Sequence, residues 1–418
     1  MSVLVDRHLL PFARDALDVV PAVVIQGARQ VGKSTFAGML VEGRHAQHFT
    51  FDDAATRDAV SVDPAAFVAQ FPGQTLVLDE VQRAPEIVLP MKAAIDRSRT
   101  PGRFVLTGSA DLLKVSGAAD SLAGRAVTVH VHGLSQGELA GTVDDLVTYV
   151  LGGGQLAGLR SDWLRHDYVA MLARGAYPEV QHLEGRMRTT WLDSYLPRVI
   201  ERDATSIHRL VQPARLKAVL RLLAANQSGE LVKGRVAEQS GVPASSISAY
   251  LDVIQAIFLT AAVPPWTPNL TRREIGRHKA VVLDSALAMR LSRITAGQLE
   301  PLIGPDHLGG LLEGFVVAEL MKQAGWSQTS FDLRHYRDRG GSEVDVIIEL
   351  DDGRIIGIEV KSSSSFKGDQ FAGLRALASK AGSRFAAGIV FGTGQSSVQH
   401  AEGLWGLPIS ALWECRLG

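Results

Sequence analysis

The chain has 418 residues, of which 46% are hydrophobic and 21% charged, with a formal net charge of −1 at pH 7. That length is too great for one core and predicts roughly two to four domains of ordinary globular composition. The near-neutral balance excludes a global pull toward nucleic acid or an anionic membrane, so any such contact must rest on a local patch. The single cysteine, Cys415, excludes an intrachain disulfide and fits a reducing compartment.

Residues 1–20 interleave Asp6, Arg7, Arg14, Asp15 and Asp18 with apolar positions. This is the pattern of an amphipathic helix, not of a secretory leader. The uncharged stretch 146–159 is too short and too rich in glycine for a membrane span, and no internal repeat stands out. A cytoplasmic protein without membrane contact is expected.

Ala22, Val23, Val24 and Ile25 read as a buried strand, and residues 35–40 as a helix. Between them, Gly27-Ala28-Arg29-Gln30-Val31-Gly32-Lys33-Ser34 fills every fixed position of the phosphate loop G-x-x-x-x-G-K-[ST]. The glycines let backbone N–H groups curl around a β-phosphate, and the helix N-terminus favours the anion. Lys33 is placed to reach the β- and γ-phosphates and Ser34 to ligate Mg²⁺. The expected cradle runs from Gly27 through Thr35, for ATP with Mg²⁺.

Leu76, Val77 and Leu78 form an apolar strand ending in Asp79 and Glu80. Asp79 suits the Mg²⁺ shell, and Glu80 suits polarising the attacking water. A further strand over 103–106 delivers Thr107 to the ligand edge of a parallel sheet, to sense the γ-phosphate or hold the water, with Ser109 as the alternative. Arg125 follows an amphipathic helical segment, where an arginine would complete a neighbouring subunit's site and so imply a homo-oligomer. Together GARQVGKST, LVLDEVQ, FVLTGS and SLAGRAV resemble the AAA+ ATPases. The chain is more narrowly similar to the prokaryotic group in which an AAA+ module precedes the conserved domain DUF4143, and the resemblance spans nearly the whole chain. It implies that Thr107 is the first sensor, Arg125 the inter-subunit arginine and 161–210 a helical lid. For the second sensor arginine it leaves Arg198 and Arg202 open.

Three helical patterns follow at 215–225, 233–239 and 244–259, with a tight turn at Ser240-Gly241-Val242, which suits a helix-turn-helix within a winged helix. Residues 241–270 contain no lysine or arginine and one acid, Asp252, so the third helix cannot neutralise phosphates. Ser245, Ser246, Ser248 and Tyr250 remain as base contacts. Arg272, Arg273, Arg277 and Lys279 lie where a wing would be. A packing role between the ATPase and the C-terminal domain is favoured over DNA binding.

Residues 343–350 and 354–361 read as a β-hairpin. A two-residue turn at Asp352-Gly353 would mix apolar and charged faces. A three-residue loop, Asp351-Asp352-Gly353 with the glycine left-handed, pairs Ile348 with Ile356, Val346 with Ile358 and Val344 with Val360. That register buries one apolar face and sets Asp345 opposite Glu359 and Glu343 opposite Lys361. Two carboxylates and a lysine on one sheet face are a site for Mg²⁺ or Mn²⁺. The spacing D-x13-E-x-K resembles the PD-(D/E)XK nucleases. That family adds an acid from a preceding helix; here the helix is 311–323, with Glu313 preferred to Glu319. The histidines lack zinc spacing.

The expected fold is multidomain α/β: a parallel-sheet AAA+ core (1–150), a helical lid (151–210), a winged-helix segment (211–275) and a restriction-endonuclease-like domain (276–418). The leading function is Mg²⁺-dependent ATP hydrolysis coupled to a domain that binds or cleaves nucleic acid. The alternative is an ATP-controlled switch whose nuclease fold binds a partner or DNA without cutting.

Overall fold

Short apolar strands alternating with helices fold the first third of the chain into a parallel sheet. The computed structural model describes residues 4–109, 122–204, 207, 211–268, 276–300, 307–338 and 340–416. Helix α1 (Leu10–Val19) leads into β1 (Ala22–Gln26), α2 (Lys33–Leu40), β2 (Ala46–Thr50), α3 (Ala54–Val62), α4 (Pro64–Ala69), β3 (Thr75–Asp79), α5 (Val88–Arg97), β4 (Phe104–Gly108) and β5 (Ala126–His130). The strands lie in the order β2-β3-β4-β1-β5, and every pairing is parallel. The inner strands are buried on both faces, which is why they read as unbroken apolar runs. Val23, Ile25, Val77 and Val105 pack with α1 and α2, while Val24, Leu76, Leu78 and Leu106 pack with α5.

The middle of the chain is helical: α6 (Gln136–Ala140), α7 (Leu146–Leu151), α8 (Arg165–Arg174) and α9 (Gly185–Val199), the last continuing into a π-turn at Ile200–Ala204. Next come α10 (Pro213–Ala225), α11 (Lys233–Ser240), α12 (Ile247–Ala256) and an antiparallel ribbon of β6 (Thr260–Val263) and β7 (Lys279–Val282). Gly241 takes the expected left-handed conformation, with φ 68°. Of the polar side chains considered on the third helix, Tyr250 points inward instead. It is buried, and its hydroxyl accepts from the Gln212 amide at 3.0 Å. Arg272 and Arg273 lie outside the described residues.

The remaining elements are α13 (Ser285–Ser292), α14 (Ala296–Leu299), α15 (His307–Gln323), β8 (Phe331–Arg337), β9 (Glu343–Leu350), β10 (Ile355–Val360), α16 (Ala372–Ala381), β11 (Phe385–Gly392), β12 (Val398–Ala401), β13 (Leu404–Pro408) and α17 (Ala411–Glu414). Their mixed sheet has the order β12-β13-β11-β10-β9-β8. The β9–β10 register sets Ile356 against Ile348 and Ile358 against Val346, as the apolar pairing predicts. The turn closes with Gly353 at φ 80° and its amide donating to the Leu350 carbonyl at 2.9 Å.

One continuous apolar cluster runs from Val23 and Ile25 of β1, through α10 and α12, to Val346 and Ile358 of the C-terminal sheet. Helix α15 crosses this cluster and is buried nearly all round. Among the described residues, no helix is long and apolar enough to cross a membrane.

Candidate functional site

The turn after β1 is dictated by backbone geometry. A Cβ at Gly27 would lie 2.0 Å from the Val131 carbonyl oxygen, so no side chain fits there. Gly32 holds φ 94° at the start of α2, a conformation that favours glycine. Lys33 is buried, and its Nζ donates to the Ala28 carbonyl at 2.9 Å. Burial pulls its ammonium down to about 8, against the opposing charges of Glu80 and Asp79.

Parallel pairing of β3 and β4 brings the C-terminal ends of both strands beside the loop. The Ser34 hydroxyl donates to the two Asp79 carboxylate oxygens at 3.0 and 3.1 Å. Thr107, fully buried, donates to Asp79 and accepts from the Glu80 amide at 3.1 Å. Glu80 is left-handed, with φ 59°, and its carboxylate accepts from Gln82 and from Ser109, the latter at 3.3 Å. Thr107 therefore links the two acids, and Ser109 holds the second. A cavity of 530 Å³ opens over Gly32 to Thr35, Asp79 and Glu80, with Val5, Met39, Leu139 and Pro178 on its apolar side. Hydroxyl, carboxylate and ammonium at the mouth of a glycine loop form a donor set that fits a nucleotide phosphate with Mg²⁺.

Two contacts at this loop carry no motif in the sequence. Arg7 donates to the Val31 carbonyl at 3.2 Å and to Glu138 at 2.9 Å, clamping the loop to α6. Arg29 pairs with Asp203 of the π-turn at 3.3 Å. Of the two second-sensor candidates, Arg202 lies 3.1 Å from Asp52, which lines the cavity, while Arg198 is exposed. Arg125 stands at the opposite, N-terminal edge of the sheet, where its carbonyl accepts from Ala22 and its guanidinium pairs with Asp96 at 2.7 Å.

The C-terminal hairpin gathers the residues expected to meet. The Asp345 carboxylate accepts from the Val360 amide at 2.9 Å, and Lys361 Nζ lies 2.7 Å from Glu359 and 3.8 Å from Asp345. Glu313 reaches the same cluster from α15, whereas Glu319 turns to Lys322 and the Gln136 amide. The unforeseen member is Lys279. Instead of standing on an exposed wing it is buried, with Nζ 2.8 Å from Glu313, 3.5 Å from Glu343 and 3.7 Å from Asp345. It also donates to the Asp345 carbonyl at 3.3 Å. Arg277 is exposed and 3.8 Å from Glu230.

Burial, reinforced by the Asp345 charge, raises Glu313 and Glu359 each to about 8. Burial opposes the Lys279 charge, yet Glu313, Asp345 and Glu343 hold that ammonium above its ordinary range. Among the described residues, no group of three or more His, Cys, Asp or Glu side chains is placed to hold a metal ion. The expected metal set of Glu313, Asp345 and Glu359 is thus assembled around two lysines, Lys279 and Lys361.

Three family models match the chain. The AAA domain model matches residues 20–140, a domain of unknown function, DUF8612, matches 165–298, and DUF4143 matches 308–412. The first third is AAA-like, with a P-loop ATPase fold. The uncharacterized protein Rv2008c of Mycobacterium tuberculosis is 28% identical over 354 residues, covering 84% of this chain and 73% of its own length. Protein Mb2031c of Mycobacterium bovis matches with the same figures of 28%, 84% and 73%. Similar solved structures include the Walker-type ATPase PABY2304 of Pyrococcus abyssi, 14% identical with a TM-score of 0.44 over 70% of this chain and 96% of that one. They also include AMPPCP-bound DnaA from Aquifex aeolicus, 12% identical with a TM-score of 0.30 over 59% and 86%.

Proposed function

We propose that this AAA-like protein hydrolyses ATP and uses the cycle as a switch on its C-terminal domain, which binds without cutting. The observation that carries the first half is the hydrogen-bonded set Ser34–Asp79–Thr107–Glu80 at the mouth of the glycine loop. Ser34 and Asp79 would hold Mg²⁺, which would supply positive charge against the phosphates. Lys33 exchanges the Ala28 carbonyl for phosphate oxygens, and the gain in opposite charge keeps it protonated. Glu80, whose carboxylate accepts from Gln82 and Ser109, accepts the proton of the attacking water. Arg125, remote from its own chain's loop, serves the site of a second copy.

The second half rests on the lysine-filled carboxylate cluster, which favours a switch over a metal nuclease. A buried polar path joins the two halves. Arg7 ties the loop to Glu138, and Gln136, two residues earlier, donates its amide to Glu319 of α15 at 2.9 Å. Glu313 lies on the same helix, less than two turns before Glu319.

The test separates two substitutions. Lys33→Ala should abolish ATP binding, whereas Glu80→Gln should keep ATP affinity and lower turnover about 10²–10⁴-fold, because it removes the base and leaves the Mg²⁺ ligands. Binding of a labelled ATP analogue and phosphate release are measured in parallel. Equal loss of affinity in both variants would contradict these roles.

A further inference from the structure

We propose that Lys279 is the resident cation of the C-terminal carboxylate cluster, a tethered ammonium standing where a nuclease would hold its metal. The inference deepens the non-cleaving reading above and is independent of ATP hydrolysis.

The chain delivers this lysine from outside the hairpin, on β7 of the middle ribbon, and buries it to 3% exposure. Its ammonium contacts carboxylates from two separate elements, Glu313 on α15 and Glu343 and Asp345 on β9. A buried ammonium is stable only where polar partners compensate its lost hydration, and here Glu313 takes its shortest hydrogen bond while Glu343 and Asp345 stand close by. A divalent ion bound by the same oxygens would sit at contact distance from a fixed positive charge, and Lys361 adds a second one from the Glu359 side. The lysine also supplies one of the ribbon's ties to the C-terminal sheet. The carboxylates serve that docking, and the domain takes no catalytic metal.

The experiment uses the full, nucleotide-free chain and Mn²⁺ alone, with bound ion counted by electron paramagnetic resonance. The wild type and Asp345→Asn should give the same isotherm, since any Mn²⁺ they hold belongs to Ser34 and Asp79. Lys279→Met should gain one Mn²⁺ per chain, bound at least about tenfold more tightly than any in the wild type. That gain should vanish in Lys279→Met/Asp345→Asn and be absent in Lys279→Arg, which keeps the charge. A wild-type Mn²⁺ site that Asp345→Asn removes would overturn the proposal, and so would Mn²⁺-dependent cleavage of an oligonucleotide lost in the same variant. Both of those arms stand even if Lys279→Met does not fold. Failure of the Glu80 test leaves this result untouched, because no nucleotide is present.

Discussion

Lys33 and Lys279 are both buried lysines, and their surroundings drive them in opposite directions. At Lys33 burial outweighs Glu80 and Asp79, so the ammonium falls to about 8. At Lys279 the near carboxylates outweigh burial, and the ammonium rises. Lys33 was legible in the sequence because the loop motif fixes its spacing to the glycines. Lys279 was not, since it follows three arginines in a segment that reads as a basic wing, and nothing local signals burial beside an acid 34 positions later. The cost of gathering these acids is measurable. Glu313 and Glu359 each rise to about 8 from an ordinary 4.5, so between those values the folded chain holds more protons than the unfolded one. Stability from these groups is therefore full at low pH and is lost as pH rises toward 8. Glu359→Gln cannot ionise and should flatten that decline. Urea unfolding at several pH values should show the variant gaining on the wild type as pH rises. Buried His132, pushed down to about 3, acts equally on both proteins and cancels in the difference. A difference that does not change with pH would refute the assignment.

Among the elements, the β9–β10 hairpin shows what a sequence can specify. Alternation has a period of two, so a one-residue slip would turn Val346, Ile348, Ile356 and Ile358 to the wrong face, and only one register keeps them together. That register requires a left-handed residue at Gly353, which has φ 80° and no atom within 4 Å of an added Cβ. Space is ample there, so any cost of substitution is conformational. Gly353→Val should destabilise by about 1–2 kcal/mol and Gly353→Asn by clearly less, as read from urea midpoints. Equal effects would point to a different turn. Helices were less legible. The third helix of the middle region was expected to reach 259, but Phe258 adopts φ 58° and ends it at Ala256, ahead of β6. In α15 both faces are buried, so apolar periodicity could not separate Glu313 from Glu319. Glu313 entered the hairpin cluster, and Glu319 became the contact to α6.

At the scale of the molecule, the ATP loop and the arginine expected to serve it lie at opposite edges of one sheet. Arg125 precedes β5, which pairs with β1 residue for residue from Ala22 to Gln26, while the loop begins beyond Gln26. A five-residue strand spans about 16 Å, farther than an arginine side chain extends. Within one chain Arg125 cannot touch the γ-phosphate, so the role proposed for it requires a head-to-tail assembly in which it would reach a neighbour's loop. Specific ATPase activity should then rise with protein concentration, and Arg125→Ala should lower turnover about 10³-fold or more while sparing ATP binding. Complementation gives the sharper test. Lys33→Ala subunits keep the arginine but lack the loop lysine, and Arg125→Ala subunits have the reverse, so each is inactive alone. Mixed at equal amounts in a ring, about one interface in four joins an intact loop to an intact arginine, and about a quarter of wild-type turnover should return. Mixtures no more active than their separate components, or a monomer with full activity, would show that Arg125 serves only its partner Asp96.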